Sequence, residues 1–427
     1  MHVTLPPSFV DGPPHGGSPS SRRLNRQRLL EEVRRFGPIS RADLAKSTRL
    51  SPPTVSALVD DLVTEVGLLR DVGIGMSKGG RPPILLQFNN EFGYLVGVDV
   101  GSRTLRVALA DLQGKVLARD QVPTDATGGE SIIDQICEGV TAVFARTKRD
   151  QGKLYAVGVG APGMTDVNTG RVISAVNLPG WVNLPLRDLL EARLDAPVRV
   201  DNDANMAALG ERWQGSARKV DDFVFLALGA GIGAGVVVGG RLHRGHHFYA
   251  GEISHMNLDY REWHADFGER GYLESHVGAA AIPEWQHARP LVTPANDDAE
   301  PGRDRAAAAA TIIAAARSGD SQAAAVLEQL AVYLGTAVAN IVAVLDPQLV
   351  VFGGGLSHAG DLLLRPVRRV VSRIVPNLPA LAISSLGDDA QLMGAVYTAK
   401  ETAEARLAAW LTVTPFPSRA VARAGTR

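Results

Sequence analysis

The sequence predicts an α/β protein in two parts. An N-terminal three-helix module closes with a β-hairpin, and a larger part follows in which a βββαβα unit occurs twice. Three observations lead there. Short capped helices and a hairpin occupy residues 21–90; apolar strands broken by glycine start at Tyr94 and start again at Phe223; and charge is unevenly divided. Residues 21–90 carry 12 Lys+Arg against 7 Asp+Glu, a surplus of +5 in a chain whose net charge is −1. The surplus points to a polyanionic partner for this part. At 427 residues the chain exceeds one ordinary core, and two or three domains are expected. The single cysteine, Cys137, excludes a disulfide framework and a Cys-rich metal centre and suits a reducing cytoplasm. No apolar run is expected to span a membrane, and no secretory segment is expected at the N-terminus.

Residues 1–20, rich in Pro, Gly and Ser, read as a disordered tail. A helix begins near Leu24, with Leu24, Leu29, Leu30, Val33 and Phe36 on one face, and Gly37-Pro38 ends it. Ser40 caps a short helix, Arg41 to Ser47. Ser51, followed by Pro52 and Pro53, caps a third that runs to about Val66. Strands Leu68–Val72 and Ile84–Phe88 flank a Gly-rich tip. This is the layout of a winged helix-turn-helix over residues 21–90. The candidate DNA contacts are Arg41, Ser51, Thr54 and Ser56 on the helices, with Lys78 and Arg81 at the hairpin tip. A small helical packing module is the plainer reading, and the charge surplus weighs against it.

The stretch ISRADLAKSTRLSPPTVSALVDDL followed by GGRPP resembles the DNA-binding domain of ROK-family transcriptional regulators. One departure is Ala57, where the family often has Arg after TVS, so the operator need not be a relative's.

From Tyr94, LVGVDVGSRTLRVALADLQGKVL reads as three strands with turns at Gly101 and Gln113-Gly114. A helix over 129–150, a strand from Leu154, a helix Leu184–Leu194, a strand from Val198 and a helix to about Trp213 complete the unit. A second βββ begins at Phe223. Repetition of this unit around a cleft is the plan of the two-lobed actin-like (ribonuclease H-like) sugar kinase fold. Lobe 1 is expected at 91–215 plus 388–411, lobe 2 at 216–387, and a flexible tail at 412–427. Pro283 to Asp304 reads as a polar loop, and Ala306–Arg317, Ser321–Leu345 and Leu362–Ile374 as helices.

Leu226–His255 is the densest glycine stretch of this part. Such density suits either an anion cradle or a closely packed hairpin, and glycine alone leaves both open.

The resemblance to the ROK family now covers nearly the whole chain. Asp99-Val-Gly101 is similar to its first phosphate motif, Gly229 to Gly233 (GAGIG) to its second, and Gly353-Gly354-Gly355 to its adenosine-side turn. VDNDAN (Val200–Asn205) resembles the catalytic segment and GEISH (Gly251–His255) the sugar-contact motif. The resemblance implies that Asp203 is the catalytic base of any kinase activity. It implies that Gly163, Asn177, Asn202, Asp203, Glu252, His255 and Glu274 hold a sugar. Asp99, Gly101, Gly229, Gly231, Gly233 and Gly354 would form a nucleotide-phosphate side. For Asp203 the bland alternative is a helix N-cap; for Glu252 and His255 it is a structural pair.

Three departures bear on activity. Ser102, Arg103 and Thr104 follow Gly101 where active relatives have Gly-Thr-Lys, and Ala230 stands in the second phosphate motif in place of a hydroxyl residue. The family's zinc, held by one His and three Cys, would find His255 but Ala265, Phe267 and Tyr272 at the thiolate positions. The expectation is therefore no metal and no cofactor, with the zinc loop held by packing of Phe267, Tyr272 and Trp263; ATP and Mg²⁺ enter only if kinase activity survives. The expected protein is a cytoplasmic, sugar-responsive regulator, in the first place a repressor. Its expected partners are double-stranded operator DNA, a sugar or sugar derivative, and further copies of itself as a homodimer or higher homo-oligomer. The alternatives are an active ATP-dependent sugar kinase with a regulatory DNA-binding domain, and a constitutive DNA-binding protein with a dead sensor.

Overall fold

The computed structural model describes residues 19–76, 82–125, 127–175, 178–229, 231–277 and 303–413. Lys78, Arg81, Asn177 and Ala230, the tail up to residue 18, the polar loop up to residue 302 and residues from 414 onward lie outside them. Two compact units are present. One is Met1–Gly93 with Asp111–Gln113 and Glu401–Arg427; the other is Tyr94–Ala110 with Gly114–Lys400.

In the first unit, α1 (Pro19–Phe36) starts within the stretch expected to be a disordered tail. It leads through β1 (Ile39–Ser40) to α2 (Arg41–Thr48) and α3 (Pro52–Asp60), which ends in one wider turn at Asp61–Glu65. Ser40 accepts from the Asp43 N–H and Ser51 from the Thr54 N–H, the two N-caps expected from sequence. β2 (Leu69–Ile74) and β3 (Ile84–Phe88) form an antiparallel wing, and β1 adds to β3. Leu29, Leu30, Val33, Leu44, Val55, Leu58 and Leu62 are buried.

The predicted inner face of α1 was wrong at both ends, since Leu24 is 67% and Phe36 53% exposed. Arg26 takes the place between them, buried beside Asp61, which also pairs with Arg22 at 2.6 Å. Positions 26, 29, 30 and 33 lie along one helical stripe, which leaves Leu24 off it. Burial pushes the Arg26 guanidinium down to about 10.

The second unit holds two five-stranded sheets of matching order. The first comprises β4 (Tyr94–Val100), β5 (Thr104–Asp111), β6 (Val116–Pro123), β7 (Leu154–Ala161) and β10 (Val198–Asn202), ordered β10-β7-β4-β5-β6. The second comprises β11 (Phe223–Leu228), β12 (Ile232–Val238), β13 (Arg241–His243), β14 (Leu349–Gly353) and β15 (Ala380–Ile383), ordered β13-β12-β11-β14-β15. In each the hairpin-linked strands lie on one side and the parallel crossover strands on the other. A two-stranded ribbon, β8 (Met164–Asp166) and β9 (Arg171–Ser174), stands beside the first sheet.

α4 (Glu130–Thr147) and α5 (Leu186–Leu194) share one core with the first sheet, around Trp181, Phe144 and Ile136. α6 (Asp203–Gln214) packs Ala207 and Ala208 against the second sheet. A short helix α7 (Gly271–Val277) precedes α8 (Arg303–Arg317), α9 (Ser321–Leu345) and α10 (Asp361–Ile374). α11 (Ala390–Val413) is divided between the units at Lys400, whereas the sequence reading put 388–411 wholly with lobe 1. Beyond that point Glu404 pairs with Arg34 at 3.7 Å.

α9 corrects the expectation that no apolar run is long enough to cross a membrane. By length and composition it passes. Its alanines raise its hydropathy, but Leu327, Leu330, Leu334, Val338 and Ile341 pack into the core of the second sheet, as in a central helix of a globular domain.

Candidate functional site

The repeated sheets point strand ends and helix N-termini into one cleft within the second unit. Its inner part, about 500 Å³, brings together Gly163, Asn202, Asp203, Glu252, His255 and Glu274, the described members of the expected sugar set. An adjoining part of about 800 Å³ is lined by Asp99, Gly101, Asp203, Gly229 and Gly354. Gly229 and Gly354 border both parts, whereas Gly231 and Gly233 border the inner part only.

Asp203 opens α6, but the cap is its neighbour. Asn202 Oδ1 accepts from the Ala204 and Asn205 N–H groups at 2.9 and 3.2 Å, and its amide donates to the Gly163 carbonyl at 2.9 Å. The bland N-cap alternative weighed for Asp203 thus belongs to Asn202. The Asp203 carboxyl accepts from the Ala204 N–H at 2.7 Å. Loss of solvent, then the charge of Asp99, then that of Glu252 push it up to about 7. A carboxyl poised there can accept a proton near neutral pH.

Glu252 is likewise raised, by burial and by Glu274. Three carboxylates therefore face one polar space, an arrangement that hydroxyl donors of a polyol would relieve. Glu274 is fixed by the backbone, accepting from the Ile232 N–H at 2.9 Å. A Cβ at Gly231 would stand 2.8 Å from that carboxylate. Gly231 thus makes room for an acid here, which favours the packing reading of the glycine stretch at this position. His255 is exposed, its ring 5.9 Å from that of Tyr249.

On the other side Asp99 is not free. The Arg106 guanidinium donates to its Oδ2 through Nε at 2.9 Å and through Nη2. Asp99 is 3% exposed, and burial raises it against the lowering effect of Arg106. A resident cation thus sits on the carboxylate expected at the nucleotide-phosphate side. Sequence reading missed Arg106, although a signal existed. The Gly101 N–H to Thr104 carbonyl bond closes a tight turn. Counting two residues outward from each side of that turn arrives at Asp99 and Arg106.

The expectation of no metal concerns the loop after His255. Among the described residues no group of three or more His, Cys, Asp or Glu is placed to hold a metal ion. The rings of Phe267 and Tyr272 meet edge-on at 5.1 Å, Tyr272 stacks on His276 at 4.2 Å, and His276 lies 5.0 Å from Tyr333. Phe267 and Tyr272 pack as expected. Trp263 does not; it is 81% exposed.

In the first unit Ser51 and Thr54 stand at the N-terminus of α3, their hydroxyls 2.8 Å apart. Arg41, expected at DNA, pairs with Asp60 at 2.8 Å and donates to the Ser56 carbonyl at 3.3 Å. Ser56 is half-buried.

Comparison with known proteins gives a consistent picture. Residues 95–402 match the ROK family. The xylose repressor of Caldicellulosiruptor bescii is 29% identical over 361 residues, covering 82% of this chain and 88% of that one. The glucokinase of Halalkalibacterium halodurans is 34% identical over 323 residues, covering 72% and 95%. Among solved structures, a ROK family transcriptional regulator, homolog of E. coli MLC protein, superposes with a TM-score of 0.71 at 25% identity, over 92% of this chain and 99% of its own. A ROK family glucokinase from Streptomyces griseus, in complex with glucose and AMPPNP, reaches 0.62 at 31% identity, over 72% and 100%.

Proposed function

The chain belongs to the ROK family, and from that premise we propose that it is a sugar-responsive, DNA-binding transcriptional repressor whose kinase-like unit serves as the sensor. The observation that carries this reading is the span of the likenesses. The xylose repressor and the transcriptional regulator match 82% and 92% of the chain, more than the second unit holds, while the glucokinases match 72%. The winged helix unit is thus shared with the regulators.

In this reading α3 enters the major groove, with Ser51 and Thr54 at phosphates and base edges. The hairpin-tip residues Lys78 and Arg81 reach the backbone. A pair of half-sites is read by a homodimer in the cytoplasm. The ligand is an aldose or aldose derivative, held by Asn202, Asp203, Glu252, His255 and Glu274. Its greater affinity for one state of the cleft shifts the equilibrium of operator binding.

Kinase activity is lost in this reading. Arg106 occupies Asp99, and Ser102 and Arg103 border the outer cleft where a nucleotide's phosphates would lie. ATP and Mg²⁺ would belong only to a working kinase. No structural zinc is held in this reading, because Ala265, Phe267 and Tyr272 stand where thiolates would be needed. Elemental analysis of protein purified without added metal is expected to find zinc well below one per chain; one zinc per chain overturns that point.

The test of function is operator binding, on a DNA fragment selected by the protein itself, with and without D-xylose and D-glucose. At least one sugar is expected to change operator affinity tenfold or more, about 1.4 kcal/mol. No change with any aldose sinks the sensor. An ADP-release assay addresses the second reading: sugar-dependent turnover abolished by Asp203→Ala would make the protein a kinase.

A further inference from the structure

We infer that Arg244 is a positioning residue of the cleft, a latch from the loop of the second sheet onto Asp201 of the first, which sets where Glu252 stands relative to Asp203. The inference rests on the sugar-sensing reading and deepens it.

Arg244 follows β13 and opens the loop that ends in Gly251-Glu252. Its guanidinium reaches across to Asp201 on β10, donating to Oδ2 through Nε at 2.9 Å and Nη2 at 2.7 Å. The other oxygen of Asp201 accepts from the Asn202 N–H at 2.8 Å and the Asn205 amide at 2.9 Å. All four donors converge on a carboxylate that is 4% exposed. Asp201 immediately precedes Asn202 and Asp203, so the latch grips the strand end that delivers them.

Backbone bonds close the loop near its ends. The Ala250 N–H donates to the Arg244 carbonyl at 3.2 Å, and the Gly251 carbonyl accepts from the Ala234 N–H at 2.8 Å. Gly251 has φ +98°, and a Cβ there would meet the Ala234 carbonyl oxygen at 1.9 Å. Between these points Gly245 and Phe248 also have positive φ, at 74° and 60°. The doubly donated ion pair, whose carboxylate is buried, ties this turn to the opposite sheet. Lysine can make a single point contact at the same place but not the fork. A ligand touching Asp203 and Glu252 together needs their separation held, and a spread of an ångström is enough to weaken it.

The experiment compares wild type, Arg244→Gln and Arg244→Lys as full chains. D-xylose and D-glucose affinities are read by calorimetry, operator affinity without sugar by gel shift, and backbone hydrogen exchange over residues 244–252. Arg244→Gln is expected to raise the sugar Kd at least tenfold, speed exchange in the loop, and leave sugar-free operator affinity within twofold. Arg244→Lys is expected to fall between the two in Kd, which a general loss of folding would not produce. An unchanged Kd or unchanged loop exchange in Arg244→Gln overturns the inference and leaves the sensor reading standing. Should Arg244→Gln not fold, Arg244→Lys with wild-type Kd and exchange does the same. A wild type that binds neither sugar overturns the sensor reading, and the latch with it.

Discussion

Asp203→Asn unfolds at a higher temperature than wild type at pH 8 and at nearly the same temperature at pH 4. The reason is linkage. The Asp203 carboxyl is raised from an ordinary 3.8 to about 7 by burial, by Asp99 and by Glu252. Between those two values the folded protein binds more proton at this site than the unfolded chain does, so the site's contribution to stability falls as pH rises. Below about pH 4 both states are protonated and nothing is lost; above pH 7 the whole penalty is present. A shift of about three units at roughly 1.4 kcal/mol each bounds it near 4 kcal/mol. The carboxyl keeps partial exposure, and roughly 2 kcal/mol is the expected size. Thermal unfolding of both proteins from pH 4 to 9 measures it. A variant less stable than wild type at pH 8 would mean that the carboxylate is stabilised as an anion. Stability withheld at a residue facing the cleft is what a ligand-binding site would leave in place.

Arg106→Ala is destabilised by about 3–5 kcal/mol, the size expected when one partner of a buried ion pair is removed and the other is left unpaired. Asp99 is the one left, 3% exposed and already raised by burial. The double variant Arg106→Ala with Asp99→Asn recovers most of that loss, since no buried charge remains. The pair also offers a direct test of whether Arg106 acts as a resident cation. Millimolar Mg²⁺ is expected to raise the melting temperature of Arg106→Ala and to leave wild type unmoved. An Arg106→Ala protein as stable as wild type, or a wild type that gains as much from Mg²⁺, contradicts it. Denaturant unfolding with and without MgCl2 reads both.

The two expected effects meet in Asp99, Asp203 and Glu252. Removing charge at Asp203 relieves Asp99 and Glu252, while removing Arg106 burdens Asp99 and, through it, Asp203. The cleft is therefore one electrostatic unit, and single substitutions in it are not expected to add.

Much of this was legible in the amino-acid sequence. Ser40 and Ser51 announced two helix starts because a cap needs only a local hydroxyl and the N–H groups two or three residues on. The repeated βββαβα order emerged from strand-length apolar runs and glycine breaks, which are local too. The gathering of Asn202, Asp203, Glu252 and Glu274 into one cleft came from resemblance rather than spacing, because no periodicity links positions fifty residues apart. Leu24 was misjudged for a related reason. Apolar character suggested the core, but the stripe through Arg26, Leu29, Leu30 and Val33 decided which face turned inward, and an arginine paired with Asp61 was part of it.

By itself, then, the sequence determined the order of elements, the caps, the winged unit ahead of a duplicated α/β unit, and the residue types available to the cleft, all from patterns that short-range physics enforces. Only the tertiary structure decided which charges meet. Arg106 on Asp99, Arg244 on Asp201 and Glu274 in the space left by Gly231 are pairings across turns, sheets and helices. Their strength depends on how much water the surrounding protein removes, and burial is a property of the packed chain, not of any segment in it.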